Sequence, residues 1–140
     1  MKILQIITSL KTGGAEKLMI DIIPRMQDKG NHVDLLIFDG ADTPFKKEAE
    51  RLGIKIFHLG IGGSVYSPTK FFKLQSYLKD YDIIHAHNTA CQLFVALGSM
   101  GKKLKIVTTE HNTSNRRRNI KFLNPIYKWM YNRYDVFINI

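Results

Sequence analysis

The sequence predicts an α/β fold: a doubly wound parallel sheet of about six strands with helices on both faces. Three observations predict it. Short apolar runs alternate with helical patterns from one end of the 140-residue chain to the other. Glycine, proline and Ser/Thr caps punctuate the junctions. Hydrophobic residues make up 44% of the chain, with no repeat or low-complexity segment, which supports one packed core and excludes disorder. Strands that each feed a helix pair in parallel, and their helices cover both faces of the sheet.

The elements follow in order. Ile3–Ile7 is the first strand. It runs through Thr8–Thr12 into Gly13-Gly14-Ala15-Glu16, where a helix starts near Ala15. Leu18, Met19, Ile22, Ile23 and Met26 share one face of that helix at the 3.6-residue period. Pro24 lies inside the pattern and either kinks or shortens it. The turn Lys29-Gly30-Asn31 leads into a second strand, Val33–Phe38. A short helix spans Pro44–Leu52: Thr43 caps it, Pro44 suits its first position and Gly53 ends it. Ile54–Leu59 is the third strand and Gly60–Ser64 a flexible loop. Ser67-Pro68 opens a helix lined by Phe71, Leu74, Gln75 and Leu78. Asp82–Ala86 is the fourth strand, Thr89–Met100 the fourth helix and Leu104–Thr109 the fifth strand. A polar loop follows. A last helix starts at Asn124-Pro125, with Ile126, Trp129 and Met130 packing on the sheet, and Asp135–Ile140 is the sixth strand.

The usual strand order of such a sheet, 3-2-1-4-5-6, places strands one and four side by side where the chain direction reverses. Ligands bind outside the strand C-terminal ends at that crevice. Three segments are expected to meet there: Ser9–Gly14, His87–Thr89 and Glu110–Ser114.

Charge and cysteine usage narrow the setting. The net charge of +9 is uneven: residues 1–100 hold twelve Lys and Arg against ten Asp and Glu, and residues 101–140 hold nine against two. The basic excess of the last third points to an anionic partner such as phosphates or a lipid surface. No nucleic-acid-reading motif accompanies it, so nucleic acid is not the expected partner. The lone Cys91 excludes an internal disulfide and suits a reducing compartment. The first apolar run is too short for a signal peptide, and no run approaches a membrane-spanning length. The expectation is a cytoplasmic protein, peripheral at the inner face of a membrane.

Several residues could carry chemistry. A glycine turn between a strand and a helix N-terminus suits phosphate, because backbone is bare and the first helical N–H groups are unpaired. Gly13 and Gly14 form that turn, without the spacing of a dinucleotide fingerprint or of a phosphate loop of the G-x-x-x-x-G-K type. Asp39-Gly40 reads first as a turn. His111, just past the fifth strand in Glu110-His111-Asn112-Thr113, is placed to hydrogen-bond a substrate, although on position alone such a histidine more often caps backbone. His85 and His87 flank Ala86 and share one sheet face. One is expected to be packed in the interior, and His87, nearer the tip, has the better claim to the crevice. No cysteine or carboxylate completes a metal-ligand spacing with these histidines, so no metal site is expected. His32 and His58 read as strand-edge residues without a role. Arg116-Arg117-Arg118, with Lys121, is the densest cationic cluster and suits phosphate on a lipid-linked acceptor or on the bilayer.

As a whole the pattern resembles the N-terminal half of a family 4 glycosyltransferase of the GT-B type. The residues that carry the resemblance are Gly13-Gly14-Ala15-Glu16, Gly30-Asn31-His32-Val33, Asp82–His87, Val107–His111 and Tyr134–Ile138. It implies a Rossmann-like, acceptor-binding domain over residues 1–140 and a second domain, absent from this stretch, that holds most of a nucleotide-sugar donor. Gly13 and Gly14 match the family's loop facing the donor diphosphate, and His111 matches the histidine that contacts the transferred sugar. The loops bearing Gly62–Ser64, His87, Asn88, Asn112, Thr113 and Arg116–Arg118 would shape the acceptor site. The resemblance further implies transfer with retention at the anomeric carbon, without a cofactor or bound metal. This stretch alone is expected not to catalyse transfer. Two other readings stand beside it: half of a sugar-nucleotide epimerase, which would release a free nucleotide sugar, and a non-catalytic module that binds a membrane or a protein partner. An NAD-dependent enzyme is disfavoured by the missing glycine fingerprint.

Overall fold

The computed structural model of the protein describes residues 1–111 and 125–139. Its elements are β1 (Lys2–Ile7), α1 (Gly14–Asp28), β2 (His32–Ile37), α2 (Pro44–Arg51), β3 (Ile56–His58), α3 (Pro68–Leu78), β4 (Ile83–His87), α4 (Thr89–Gly98), β5 (Lys105–Glu110), α5 (Pro125–Arg133) and β6 (Val136–Asn139). The six strands form one sheet in the order β3-β2-β1-β4-β5-β6, and each neighbouring pair is parallel. This is the doubly wound α/β order expected from the sequence.

Strand alternation divides the core in two. Leu4, Ile6, Leu36, Phe38, Ile84 and Ala86 face one side, where Leu74 and Leu78 of α3 and Phe94 and Val95 of α4 pack on them. Ile3, Ile7, Val33, Leu35 and Ile37 face the other, against Met19, Ile20 and Ile23 of α1 and Ala49 of α2. Five consecutive residues are buried in both β1 and β2, because helices cover both faces of the sheet centre.

Some boundaries differ from the sequence expectation for local reasons. α1 runs fifteen residues through Pro24. Met19, Ile20 and Ile23, buried on the sheet, hold the helix together across the missing N–H. β3 is only three residues long, since it is an edge strand that pairs with β2 alone. β4 extends to His87, so both histidines of that segment are strand residues. Thr43 caps α2 as expected, accepting the Lys46 N–H at 3.1 Å. In α5, Met130 is fully buried while Ile126 is 59% exposed, so the expected packing of Ile126 on the sheet is not found. Among the described residues, no helix is long and apolar enough to cross a membrane.

Candidate functional site at the C-terminal ends of the central strands

β1 and β4 lie side by side, with Ile6 paired to Ala86, and β4 carries β5 on its other edge, with His87 paired to Thr109. Their C-terminal ends therefore deliver Thr8, Asn88 and His111 to one crevice. The side chains are joined there. Asn88 donates its amide to Thr8 Oγ1 at 2.8 Å. His87 Nδ1 and His111 Nε2 are 2.9 Å apart, and His87 Nε2 lies 2.8 Å from Gln5 Oε1. Asn88 is the one non-glycine residue at positive φ among those described, with φ 71° and ψ 150° at the N-cap of α4. That backbone region is almost confined to glycine, so strain is held at the crevice by the Thr8 bond and by the first turn of α4.

The histidines are set by burial. His87 is 1% exposed, and the loss of water pushes its pKa down to about 2, helped by the neighbouring His85 and His111. His85 is pushed down to about 4, chiefly by burial, and its Nε2 pairs with Thr109 Oγ1 at 2.7 Å. His111 is lowered by burial too, partly opposed by the charges of Glu110 and Glu16. All three imidazoles are neutral near pH 7. His87, nearer the strand tip, is buried and reaches His111 through its Nδ1. His85 and His111 are partly exposed and His87 is buried. No group of three or more His, Cys, Asp or Glu among the described residues could hold a metal ion.

The turn before α1 behaves as two unlike glycines. Gly13 is the N-cap and has extended backbone, so its conformation does not require glycine. The Glu16 carboxylate folds back over the position a Cβ would take, and as the end of a flexible side chain it can swing aside. Gly14 has nothing within 4 Å of that position, which leaves open backbone at the helix N-terminus. The α1 start follows β1 and His111 follows β5, so both lie at the C-terminal end of the parallel sheet, and the Glu16 charge acts to raise the His111 pKa.

A second tied segment borders β2. The Asp39 carboxylate accepts N–H bonds from Ala41 at 3.0 Å and Gly62 at 3.1 Å, and the Gly62 bond is the main cause of its lowered pKa. Lys70, buried in α3, donates to the Gly62 carbonyl at 2.8 Å. The Gly60–Ser64 loop is therefore fastened at Gly62 from both sides rather than free. His58, for which the sequence suggested no role, accepts the Gly60 N–H at 3.2 Å.

Of the residues singled out from sequence, Gly13, Gly14, His87, Asn88 and His111 come together. Asn112, Thr113, Arg116, Arg117 and Arg118 lie outside the described residues. Sequence reasoning passed over Gln5, Thr8 and Glu16. The signal for Gln5 was present: it is the single polar residue in the run Ile3–Ile7, and it is 1% exposed.

An open parallel sheet with its polar residues gathered at the β1/β4 switch point defines a Rossmann-like domain with a ligand crevice at the strand C-terminal ends. The chain belongs to Glycosyltransferase Family 4, whose model matches residues 12–140. No curated protein matches its sequence. Among solved structures it is similar to Anabaena Alr3699/HepE in complex with UDP and glucose, at 26% identity and a TM-score of 0.74 over 96% of this chain and 36% of that one. It also resembles a putative UDP-N-acetylglucosamine 2-epimerase from Listeria monocytogenes, at 12% identity and a TM-score of 0.67, over 99% of this chain and 39% of that one. MurG of Acinetobacter baumannii gives 13% identity and a TM-score of 0.67, over 99% and 41%. The last two likenesses concern the fold alone. The chain spans little more than a third of the length of HepE.

Proposed function

We propose that this chain is the acceptor-side domain of a retaining glycosyltransferase, which moves a sugar from a nucleotide-sugar donor to a glycan, lipid-linked or other glycoconjugate acceptor. The observation that carries the reading is the juxtaposition of a partly exposed, neutral His111 with the open α1 N-terminus at Gly14. The helix start offers unpaired N–H groups to a departing diphosphate, whose negative charge grows as the sugar bond breaks. His111 contacts the sugar. Family membership supports the reading, as does the HepE structure with UDP and glucose. The donor is a substrate, and neither a cofactor nor a metal takes part. Arg116–Arg118 supply cations for a phosphate on the acceptor or on an anionic, cytoplasmic-facing bilayer.

Two measurements test this. In the natural full-length protein, a screen of nucleotide-sugar donors should yield a glycoside, whereas an epimerase would return a free nucleotide sugar. With the productive donor, His111→Ala should lower kcat by on the order of 100-fold with an unchanged circular dichroism spectrum, in the range found for loss of one preorganised polar contact. Near-normal turnover removes His111 from the mechanism. Charge reversal at Arg116–Arg118 should weaken binding to vesicles of anionic lipid, and should do so less at high salt. Binding that ignores both charge and salt excludes the basic contact.

A further inference from the structure

The site contains a chain of buried polar groups that extends well below the crevice. Gln5 Nε2 donates to Met26 Sδ at 3.6 Å. Gln5 Oε1 then faces His87 Nε2 at 2.8 Å, and His87 Nδ1 faces His111 Nε2 at 2.9 Å. Each link constrains the next. A carbonyl oxygen only accepts, so His87 Nε2 carries a proton. Burial keeps His87 neutral, so its Nδ1 carries none and must accept. The proton in the last bond therefore belongs to His111 Nε2. The reverse arrangement needs the Gln5 amide flipped. That places two lone-pair atoms, Oε1 and the Met26 sulfur, against each other and loses a hydrogen bond. His85 stacks on His87 with ring centroids 4.2 Å apart and is itself held by Thr109, which fixes the plane of the middle ring.

We infer that Gln5 and His87 are positioning residues that lock His111 in one neutral tautomer, with its proton on Nε2 and its lone pair on Nδ1. The nitrogen left for a ligand is then an acceptor. Among the described residues, Nδ1 has no hydrogen-bond partner. It matches a group that donates, a sugar hydroxyl, and does not match a phosphate oxygen, which only accepts. The hydroxyl assignment rests on the reading of His111 as the sugar contact; the tautomer lock does not.

The experiment is long-range proton–nitrogen correlation NMR on full-length protein labelled with 15N-histidine, at pH 7.5. Single-histidine substitutions assign the rings. His111 and His87 should each show an unprotonated Nδ1 and a protonated Nε2. Gln5→Leu removes the acceptor under His87, brings the two arrangements close in energy, and should give averaged shifts at His111. A proton on His111 Nδ1 in the unaltered protein overturns the lock, and so does a Gln5→Leu pattern identical to it. If that variant does not fold, the unaltered protein still decides. The signals do not depend on turnover. Normal activity of His111→Ala would remove His111 from the transfer reaction and leave the tautomer result standing.

Discussion

Two neutral imidazoles withdrawn from water, His87 buried and His85 half-buried, have a cost that pH reveals. Unfolded histidine takes up a proton near pH 6.5, whereas His85 and His87 resist it down to about 4 and about 2. Above pH 6.5 neither state is protonated and the two groups do not affect stability. Below it the unfolded chain binds more protons than the native one, so stability falls with pH. The loss is complete only below the folded values. Each proton contributes about 1.4 kcal/mol per pH unit, so the two should give a slope of roughly 2–3 kcal/mol per pH unit near pH 5. Urea unfolding at a series of pH values from 7.5 to 5 measures it, and His85→Gln should remove about half. A flat profile would show that water reaches these rings. At this scale the sequence was legible in part. The crevice histidine was identifiable from its place past a strand end. That His87 is buried and His85 half-buried was not, because that depended on where β4 ended and on contacts with Gln5 and His111 from other strands.

Local rules explain most of the elements, and the two glycines before α1 show how far they reach. The sequence marked Gly13 and Gly14 as one phosphate-suited turn. The structure separates them by what surrounds each Cβ position. Gly13→Ala displaces only the flexible end of the Glu16 side chain, so it should change stability by no more than about 0.5 kcal/mol. Gly14→Ala meets nothing and replaces glycine in a helix, so it should stabilise by up to about 1 kcal/mol. On the proposed transferase reading it should nonetheless weaken donor binding, because its methyl stands on the open backbone. Thermal unfolding and nucleotide-sugar binding, measured on both variants, check the pair. A loss of stability in Gly14→Ala would mean that the open space is filled. Thr43 and Pro44 at the start of α2 were readable because capping is local. Passage of α1 through Pro24 was not readable, since it depends on burial of Met19, Ile20 and Ile23 against a sheet made of distant segments. The fastening of the Gly60–Ser64 loop was hidden for the same reason: Asp39 and Lys70 reach it from different elements.

At the scale of the molecule the strand order was legible, because the alternation of strand and helix admits few parallel arrangements. What the sequence did not display was the packing that joins the layers. Phe94 of α4 meets Phe38 after β2, Phe71 of α3 and Tyr66, with ring centroids 5.4, 5.4 and 6.3 Å away. Phe94→Ala should cost about 3–5 kcal/mol, read as a lower denaturant midpoint with unchanged cooperativity. The seam between β1 and β4 has a different importance. Ile3 pairs with Ile83 and Thr8 with Asn88 across a sequence separation of 80 residues, whereas the other strand neighbours are roughly twenty to thirty apart. Strands β1–β3 and β4–β6 can each gather from near neighbours, but Gln5 meets His87, and Thr8 meets Asn88, only when the two groups join. The crevice exists only where the longest closure of the chain is made, so regain of ligand binding should report that closure rather than the appearance of helices and strands.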